Sequence, residues 1–300
     1  MLNTTTQTNL LSEIQKDGFL FLRRKANWVR RKVLDMTVNG KSGHVTTAFS
    51  FTELFLSLYH GILRFDAENL QWKDRDRFIL SEGQAGIGLY PVLADAGFFP
   101  ISRLDTFLQE ESTLGVHSEP GTPGIQVLTG SLGHGLPIAT GMAYAGKTDN
   151  TPWLVFCLTG DGELSEGSNW EAMITAATIP LNNLVIIVNR NHQFTIGFSD
   201  RRETQRDIVL DPVGEKFQAF GFEVRNVNGH SFKDIFEVFK DVRERAKTVD
   251  RPLAIIADTV KGHGGFFANQ RQWHYRVPEG EDLETLRSQL AEEAKNLGIS

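Results

Sequence analysis

The chain has 300 residues, of which 40% are hydrophobic and 23% are charged, an ordinary composition for a globular protein. The formal net charge of −6 gives no general attraction to nucleic acid or to an anionic membrane surface. The single cysteine, Cys157, excludes an intrachain disulfide and a cysteine zinc cluster, and no apolar run is long enough for a membrane helix. Because the amino terminus also lacks a signal-peptide core, we expect a cytoplasmic protein.

The predicted elements alternate between helices and strands. Residues 1–9 are expected to be disordered, residues 10–280 to form one domain and residues 281–300 to form a charged helical tail. Within the domain the pattern predicts helices at 10–37, 49–63, 168–179 and 231–247, strands at 153–158, 184–188, 222–227 and 253–260, and Gly-rich loops at 83–88 and 121–135. Continuous apolar strands are typical of sheets buried on both faces. We therefore predict an α/β fold with a mostly parallel β-sheet flanked by helices on both faces.

The most informative segment is 160–191. Asp161 lies between two glycines directly after one predicted strand, and Asn191 directly follows the next strand. Glycines beside a functional group let the backbone approach a ligand with no Cβ in the way. The carboxyl ends of parallel strands meet at one edge of the sheet, where open α/β proteins bind ligands. A carboxylate and a carboxamide at this edge are the hard oxygen ligands of a Mg²⁺ ion that also holds a diphosphate.

Here the sequence resembles a known family. Gly-Asp-Gly followed thirty positions later by Asn resembles the thiamine-diphosphate motif, and the wider context resembles the amino-terminal half of transketolases. The matching segments are Ser42–His44, Asp76–Gly83, Pro123–Gly124, Thr129–Gly133, Asp161–Gly167, Trp170–Ala172, Val188–Asn191, Lys261–Gly262 and Trp273–His274. They occur in order over roughly residues 10–278. The resemblance implies a thiamine-diphosphate-binding PP-type domain with thiamine diphosphate and Mg²⁺, or another divalent cation, as cofactors.

The resemblance also implies the cofactor contacts. Asp161, Asn191 and the main-chain carbonyl of Gln193 would bind Mg²⁺, and the backbone of Gly162 would meet the diphosphate. Glu166 resembles an acidic residue of the family's subunit contact, although a carboxylate favoured by the dipole at a helix amino terminus explains it equally well. The loop expected beside the aminopyrimidine and thiazolium rings consists of Gly130, Ser131 and Leu132.

Three histidines are implied as catalytic candidates. His44 and His274 would face the sugar substrate and the thiazolium end of the cofactor, because an imidazole can pass protons and polarise a carbonyl near neutral pH. His117 joins them, although its spacing to the Pro-Gly word is one residue shorter than in the family pattern. His230 has no predicted role, and His263 is predicted to belong to a loop.

Two departures from the family pattern bear on the substrate. Gln84 stands where the family has a histidine, and Val45-Thr46 replaces the Pro-Gly that follows His44. A glutamine can hydrogen-bond a phosphate or a hydroxyl, but it cannot serve as a general acid near pH 7. We therefore expect Gln84 to contact the cofactor site, and a specialised ketol transferase acting on an unusual sugar becomes a reasonable hypothesis.

The length indicates a divided enzyme. Transketolase chains are about twice as long, and the glutamate that activates their cofactor lies in a second, pyrimidine-binding domain. The resemblance therefore implies the amino-terminal subunit of a split transketolase, which transfers a two-carbon ketol unit from a ketose phosphate to an aldehyde. The implied partner is a carboxyl-terminal subunit with the pyrimidine-binding domain, in an α2β2 assembly that binds sugar phosphates.

Two alternative functions remain open on the sequence. The α subunit of a 2-oxo acid dehydrogenase shares the Gly-Asp-Gly and Asn pattern, whereas the Ser-Gly-His and Thr-Gly-Ser-Leu-Gly words speak against it. A degenerate regulatory paralogue would bind a partner without turnover; Gln84 supports that hypothesis and the retained Asp161 and Asn191 oppose it. The letters of a nucleotide P-loop at 141–148 lie at the end of a predicted helix and precede a strand, the reverse of the order that phosphate binding requires.

Overall fold

The computed structural model describes residues 16–195, 197–205 and 207–299. Five strands form one sheet: β1 (Arg77–Leu80), β2 (Val155–Gly160), β3 (Leu184–Arg190), β4 (Glu223–Asn228) and β5 (Leu253–Asp258). Their spatial order is β1-β2-β3-β5-β4, and each pairing is parallel. The predicted parallel α/β architecture is confirmed. The predicted disorder at 1–9 lies outside the described residues, as does the first part of the predicted helix at 10–37.

Helices surround the sheet. They are α1 (Leu20–Gly40), α2 (Val45–Ser57, continued by a π turn at Leu58–Ile62), α3 (Gly86–Asp95), α4 (Gly135–Thr148), α5 (Gly167–Thr178), α6 (Val213–Ala219), α7 (Phe232–Phe239), α8 (Val242–Thr248) and α9 (Gly280–Asn296). Short 3₁₀ turns lie at Gly83–Ala85, Ile101–Thr106, Gly162–Ser165 and Arg271–Trp273. Among the described helices, none combines the length and apolarity needed to cross a bilayer.

The strand residues point alternately into two separate cores. One face packs against α1, α2, α3, α7 and α9, and the other packs against α4, α5 and α6. Cys157 is completely buried in the second core, as its apolar strand predicts. Burying each large aliphatic side chain contributes about 1.5–3 kcal/mol, so a strand that is apolar on both faces is stable only in the middle layer. The residues directed to the first core include Phe156, Leu158, Val185, Ile187 and Ile255, and those directed to the second include Val155, Cys157, Ile186, Val188 and Ile256.

The Gly-rich loop predicted at 83–88 is wrong. The segment forms a 3₁₀ turn and the first residues of α3. Its glycines permit close packing: a Cβ on Gly88 would lie 3.0 Å from the Cβ of Ala48 on α2, and one on Gly86 would lie 2.9 Å from the main-chain nitrogen of Ser118. Glycine can therefore indicate the close approach of two elements as well as a turn.

Two other boundaries differ from the prediction. The sequence pattern does not predict strand β1, because its four residues are too few to show a period. The single helix predicted at 231–247 is divided into α7 and α8. At the break, the carboxylate of Asp241 binds the guanidinium of Arg225 on β4. The P-loop letters at 141–148 lie in α4, ahead of β2, in the order that speaks against a nucleotide site.

Candidate active site at the carboxyl edge of the sheet

Asp161 follows β2 and is almost completely buried, with 1% of its surface exposed. Its Oδ1 accepts from the N–H of Gly162 at 2.9 Å, and its Oδ2 accepts from the N–H of His192 at 2.8 Å and from the hydroxyl of Ser199 at 2.6 Å. Burial nevertheless raises the pKa of this carboxyl. The three hydrogen bonds fix the orientation of the carboxylate and leave it room to accept one more partner.

Asn191 and Gln193 lie beside this carboxylate at the end of β3. Asn191 is buried, and its Oδ1 accepts from the N–H of Gln193 at 3.2 Å. His192, between them, has a φ of 65°, a left-handed turn that directs its N–H towards Asp161. The carbonyl oxygen of Gln193 would lie 3.6 Å from a Cβ placed on Gly162. The structure thus brings the three predicted metal-ligating residues to one cavity of about 240 Å³.

Buried charge is unbalanced at this cavity. Among the described residues that line it, three carry a carboxyl and one carries an ammonium; we refer to Glu82, Asp161, Glu163 and Lys261 as the front cluster. Burial raises the pKa of each of the three carboxyls, and their mutual repulsion raises that of Glu82 further. Burial lowers the pKa of the Lys261 ammonium. A divalent cation would supply the missing positive charge, and the hard oxygens of Asp161, Asn191 and Gln193 suit Mg²⁺.

The front cluster includes residues that the sequence did not single out. Glu82 follows β1, and a Cβ on Gly160 would lie only 2.0 Å from its Oε2, which is too close for any side chain there. A Cβ on Gly162 would lie 2.7 Å from the ring of Phe194. Both glycines are therefore needed, although the neighbours that require them are side chains of this chain rather than a ligand. Lys261 follows β5 within a Lys-Gly word, which was the available signal for it.

Glu163 ties the predicted cofactor loop to the sheet. Its Oε1 accepts from the hydroxyl of Ser81 at 2.5 Å and from the N–H of Gly133 at 2.9 Å. Its Oε2 accepts from the hydroxyl of Thr159 at 2.6 Å. A carboxylate with this many donors is a rigid anchor, so the loop that ends at Gly133 has a fixed position above β2.

The loop of Gly130, Ser131 and Leu132 is held in place by His117 and Gln84. Gly130 has a φ of 128°, and a Cβ there would lie 2.8 Å from the ring of His117. The Nε2 of Gln84 donates to the carbonyl of Gly130 at 3.0 Å. Leu132 lines the cavity, whereas Ser131 is exposed to solvent. Gln84 and His117 thus both support the loop.

Gln84 keeps one unused hydrogen-bonding group. Its Oε1 is buried and has no partner among the described residues. Because the Nε2 is held by the loop, the free oxygen can only accept a hydrogen bond, which a hydroxyl or N–H of a bound ligand would supply.

The structure brings His44 and His274, two of the predicted catalytic residues, together. Their rings are 5.4 Å apart in an edge-to-face arrangement, and His44 lies 4.5 Å from the ring of Tyr275. Burial and then the charge of Lys261 lower the pKa of His44 to about 4 and that of His274 to about 3. Both imidazoles are therefore neutral near pH 7. The Nε2 of His274 is 3.1 Å from the hydroxyl of Thr195, while the buried Nδ1 of each histidine has no partner among the described residues.

Two residues predicted to contact the cofactor or a partner, Gly162 and Glu166, are not free or positioned as the prediction assumed. The N–H of Gly162 already donates to Asp161, so contact with a diphosphate would require that bond to be shared or exchanged. Glu166 is exposed at the amino terminus of α5 and makes no side-chain capping hydrogen bond. The structure leaves Glu166 outside the cavity, at a helix amino terminus where the dipole favours its charge.

A parallel α/β sheet that brings hard oxygen groups to the ends of two neighbouring strands is an arrangement that suits a diphosphate bound with a divalent cation. The comparisons identify the family. The chain belongs to the transketolase family, since residues 22–299 match the family model for "Transketolase, thiamine diphosphate binding domain". The resemblance found in the sequence is confirmed.

Individual relatives agree with this family. The chain is 37% identical to an apulose-4-phosphate transketolase subunit from Actinobacillus succinogenes over 91% of this chain and 96% of the relative. It is 34% identical to the 6-deoxy-6-sulfo-D-fructose transketolase subunit SqwG of a Clostridium species over 91% of this chain and 95% of the relative. Human transketolase is 37% identical, but the match spans 84% of this chain and only 39% of the human enzyme.

Solved structures show the same relation. The crystal structure of transketolase from Campylobacter jejuni superposes with a TM-score of 0.74 at 28% identity, covering 93% of this chain and 43% of that one. The similarity therefore extends over nearly all of this chain and less than half of the Campylobacter protein.

Proposed function

We propose that this chain is the cofactor-anchoring subunit of a heteromeric transketolase-type enzyme. The enzyme would transfer a two-carbon ketol unit from a ketose phosphate donor to an aldehyde acceptor. The observation that carries the proposal is the convergence of Asp161, Asn191 and the carbonyl of Gln193 on one cavity with an excess of buried negative charge. Family membership and the two subunit-length relatives support it.

In this proposal, Asp161, Asn191 and the Gln193 carbonyl hold Mg²⁺, and the ion holds the diphosphate. Bound thiamine diphosphate supplies a stabilised carbanion, while the protein positions and polarises the substrate. Gly162 and the loop Gly130–Leu132 form the adjoining walls. Leu132 presents an apolar side chain to the cavity.

The neutral histidines would hydrogen-bond the substrate rather than protonate it, because their pKa values lie far below 7. The ring of His274 lines the cavity, and the ring of His44 lies against it. Burial and then the charge of Lys261 lower the pKa of both rings. We assign His117 a positioning role, because its ring packs against the Gly130 loop. Gln84 would offer its free Oε1 to the ligand, and this difference from the family histidine supports a specialised sugar substrate.

A second subunit would complete the site. The proposed partner carries the pyrimidine-binding domain and its activating glutamate, in an α2β2 assembly in the cytoplasm. Glu166, exposed near the loop, is the residue that we assign to the subunit contact. The relatives named as transketolase subunits support this division, because each is matched over almost its whole length.

The test is reconstitution. We expect ketol transfer from a ketose phosphate to an aldehyde only when this chain is mixed with the partner, thiamine diphosphate and Mg²⁺. Full turnover by this purified chain without a second polypeptide would contradict the divided site. The adjacent reading frame is the first candidate for the partner, and a pyrimidine-binding domain in its product is expected.

The regulatory alternative remains distinguishable. It would be favoured if Asp161→Ala left the activity of the reconstituted complex intact. The three buried carboxyls at the cavity oppose it, because a chain without turnover has no need to bury so many acidic groups at one site. The 2-oxo acid dehydrogenase alternative is not supported, since the family match is to transketolases.

A further inference from the structure

A second buried polar cluster lies behind the loop that carries Lys261. We refer to Arg30, Glu53, His230 and His263 as the back cluster. Glu53 on α2 is buried; its Oε1 accepts from the Nη2 of Arg30 at 2.5 Å and its Oε2 accepts from the Nδ1 of His230 at 2.9 Å. Arg30 and His230 lower the pKa of Glu53 to about 2 despite its burial. The carboxylate is therefore ionised and fully paired.

His230 connects this cluster to the loop. Its Nε2 accepts from the N–H of Val260 at 2.8 Å, which requires the ring proton to sit on Nδ1, facing Glu53. The ionised carboxylate thus selects the tautomer that can hold Val260. Val260 is the residue directly before Lys261, so the back cluster and the front cluster are joined by one peptide.

The back cluster has metal-binding residue types but not the geometry of a metal site. Candidate ligand atoms of Glu53, His230 and His263 lie within 4.8 Å of one another. However, both ring nitrogens of His230 are already engaged, and Arg30 holds the carboxylate. The rings of His230 and His263 are stacked 3.7 Å apart at 16°, so their in-plane lone pairs run side by side instead of converging. The arrangement suits a fixed relay of hydrogen bonds.

Other bonds attach the rest of the loop. The N–H of Thr259 donates to the carbonyl of Arg190 on β3, and the N–H of Gly262 donates to the carbonyl of Thr46 on α2. The hydroxyl of Thr259 also donates to the Oδ1 of Asn189 at 2.7 Å, whereas the N–H of Val260 donates to the side chain of His230. Exchanging that side chain therefore changes the loop without changing the other main-chain bonds.

We propose that His230 is a positioning residue, which holds the Val260 peptide so that the side chain of Lys261 stays in the cavity that Glu82 and Asp161 also line. The inference rests on the proposed function for its effect on cofactor binding. The effect on the loop itself does not depend on the cofactor. Partners that hold a ligand-contacting residue in place commonly change ligand affinity by about tenfold to a hundredfold.

The test uses ring-for-ring substitutions in the reconstituted complex. His230→Phe keeps the stack with His263 but can neither accept from Val260 nor donate to Glu53. The matched control is His263→Phe, which keeps the same stack from the other side and leaves the Val260 bond in place. We expect His230→Phe to weaken thiamine diphosphate binding by roughly tenfold in calorimetry with Mg²⁺, and the control to change it by less than about twofold.

Hydrogen exchange supplies a readout that needs no cofactor. In the chain without ligands, His230→Phe should speed amide exchange selectively in 259–265, while β2 and β3 remain as protected as in the wild type. Unchanged exchange of the Val260 amide would overturn the positioning role. Failure of the wild-type complex to bind thiamine diphosphate would instead contradict the proposed function and leave this readout valid.

A double-mutant cycle tests whether the effect passes through Lys261. Lys261→Met alone should weaken cofactor binding. If His230 acts by placing Lys261, then His230→Phe should add less than about twofold in the Lys261→Met background. A further tenfold loss there would show that His230 acts independently of the ammonium and would overturn the inference. If His230→Phe does not fold, His230→Gln, which can still accept from Val260, takes its place and should retain most of the affinity.

Discussion

The front cluster and the back cluster have opposite charge balances. In the front cluster, three carboxyls line a cavity with one ammonium, and the pKa of each carboxyl is raised. In the back cluster, one carboxylate receives both a guanidinium and an imidazole, and its pKa is lowered to about 2. The comparison teaches that a buried cluster with too little positive charge indicates where a ligand supplies it. A cluster whose charges are balanced instead holds the neighbouring backbone in place.

The largest expected effect is at the front cluster. Asp161→Asn removes the charged metal ligand while keeping its shape, so binding of thiamine diphosphate with Mg²⁺ should weaken by roughly a thousandfold, or about 4 kcal/mol. Calorimetric titration of the reconstituted complex measures this. Asp258→Asn is the control, because Asp258 pairs with Arg190 and His192 outside the cavity. Equal losses in the two variants would show that the front cluster has no special relation to the cation.

The next effect concerns stability at the back cluster. Arg30→Met leaves Glu53 buried with one partner fewer, and the free energy of unfolding should fall by about 3 kcal/mol in urea denaturation. Adding Glu53→Leu to Arg30→Met should recover at least half of the loss, because the unpaired charge is removed. Arg23→Met on the exposed side of α1 should be nearly neutral. A neutral Arg30→Met would mean that the cluster is not balanced by this pair.

Much of this contrast could not be predicted from the sequence. The order of Asp161 and Asn191 after two apolar strands predicted that the two side chains meet at one edge of the sheet, because the pattern is local. The front cluster depends on Glu82 reaching over Gly160 from a different strand, and such approaches leave no period or spacing in the chain. His230 was given no role for the same reason: its partners Glu53 and Val260 come from elements far apart in sequence.

A smaller effect is expected from pH. The pKa of Glu82 is raised from 4.5 to about 8, so the folded chain without ligands binds its proton more tightly than the unfolded chain does. Stability should therefore decline as the pH rises from about 4.5 through about 8. Glu82→Gln removes this titrating group, so the decline should be smaller by about 1–2 kcal/mol across the range in urea denaturation. The expected change is modest because water in the cavity screens part of the repulsion. An unchanged slope would contradict the imbalance of the front cluster.

The smallest effect is an absence of titration. The pKa values of His44 and His274 are lowered to about 4 and about 3, so their ring signals in NMR should stay constant between pH 8 and about 5.5. Because the unfolded chain takes up these protons from about pH 6.5 downwards, the associated stability is lost as the pH falls from 6.5 towards 4. A titration midpoint near 6.5 for either ring would show that it is not buried beside Lys261.

The most direct measurement is the position of a bound cation. Crystals of the reconstituted complex with thiamine diphosphate and Mn²⁺ in place of Mg²⁺ would show the ion by its anomalous scattering. The account predicts a single strong peak in this chain, coordinated by the carboxylate of Asp161, the amide oxygen of Asn191 and the carbonyl oxygen of Gln193. A peak at Glu53, His230 and His263, or no peak beside Asp161, would contradict it.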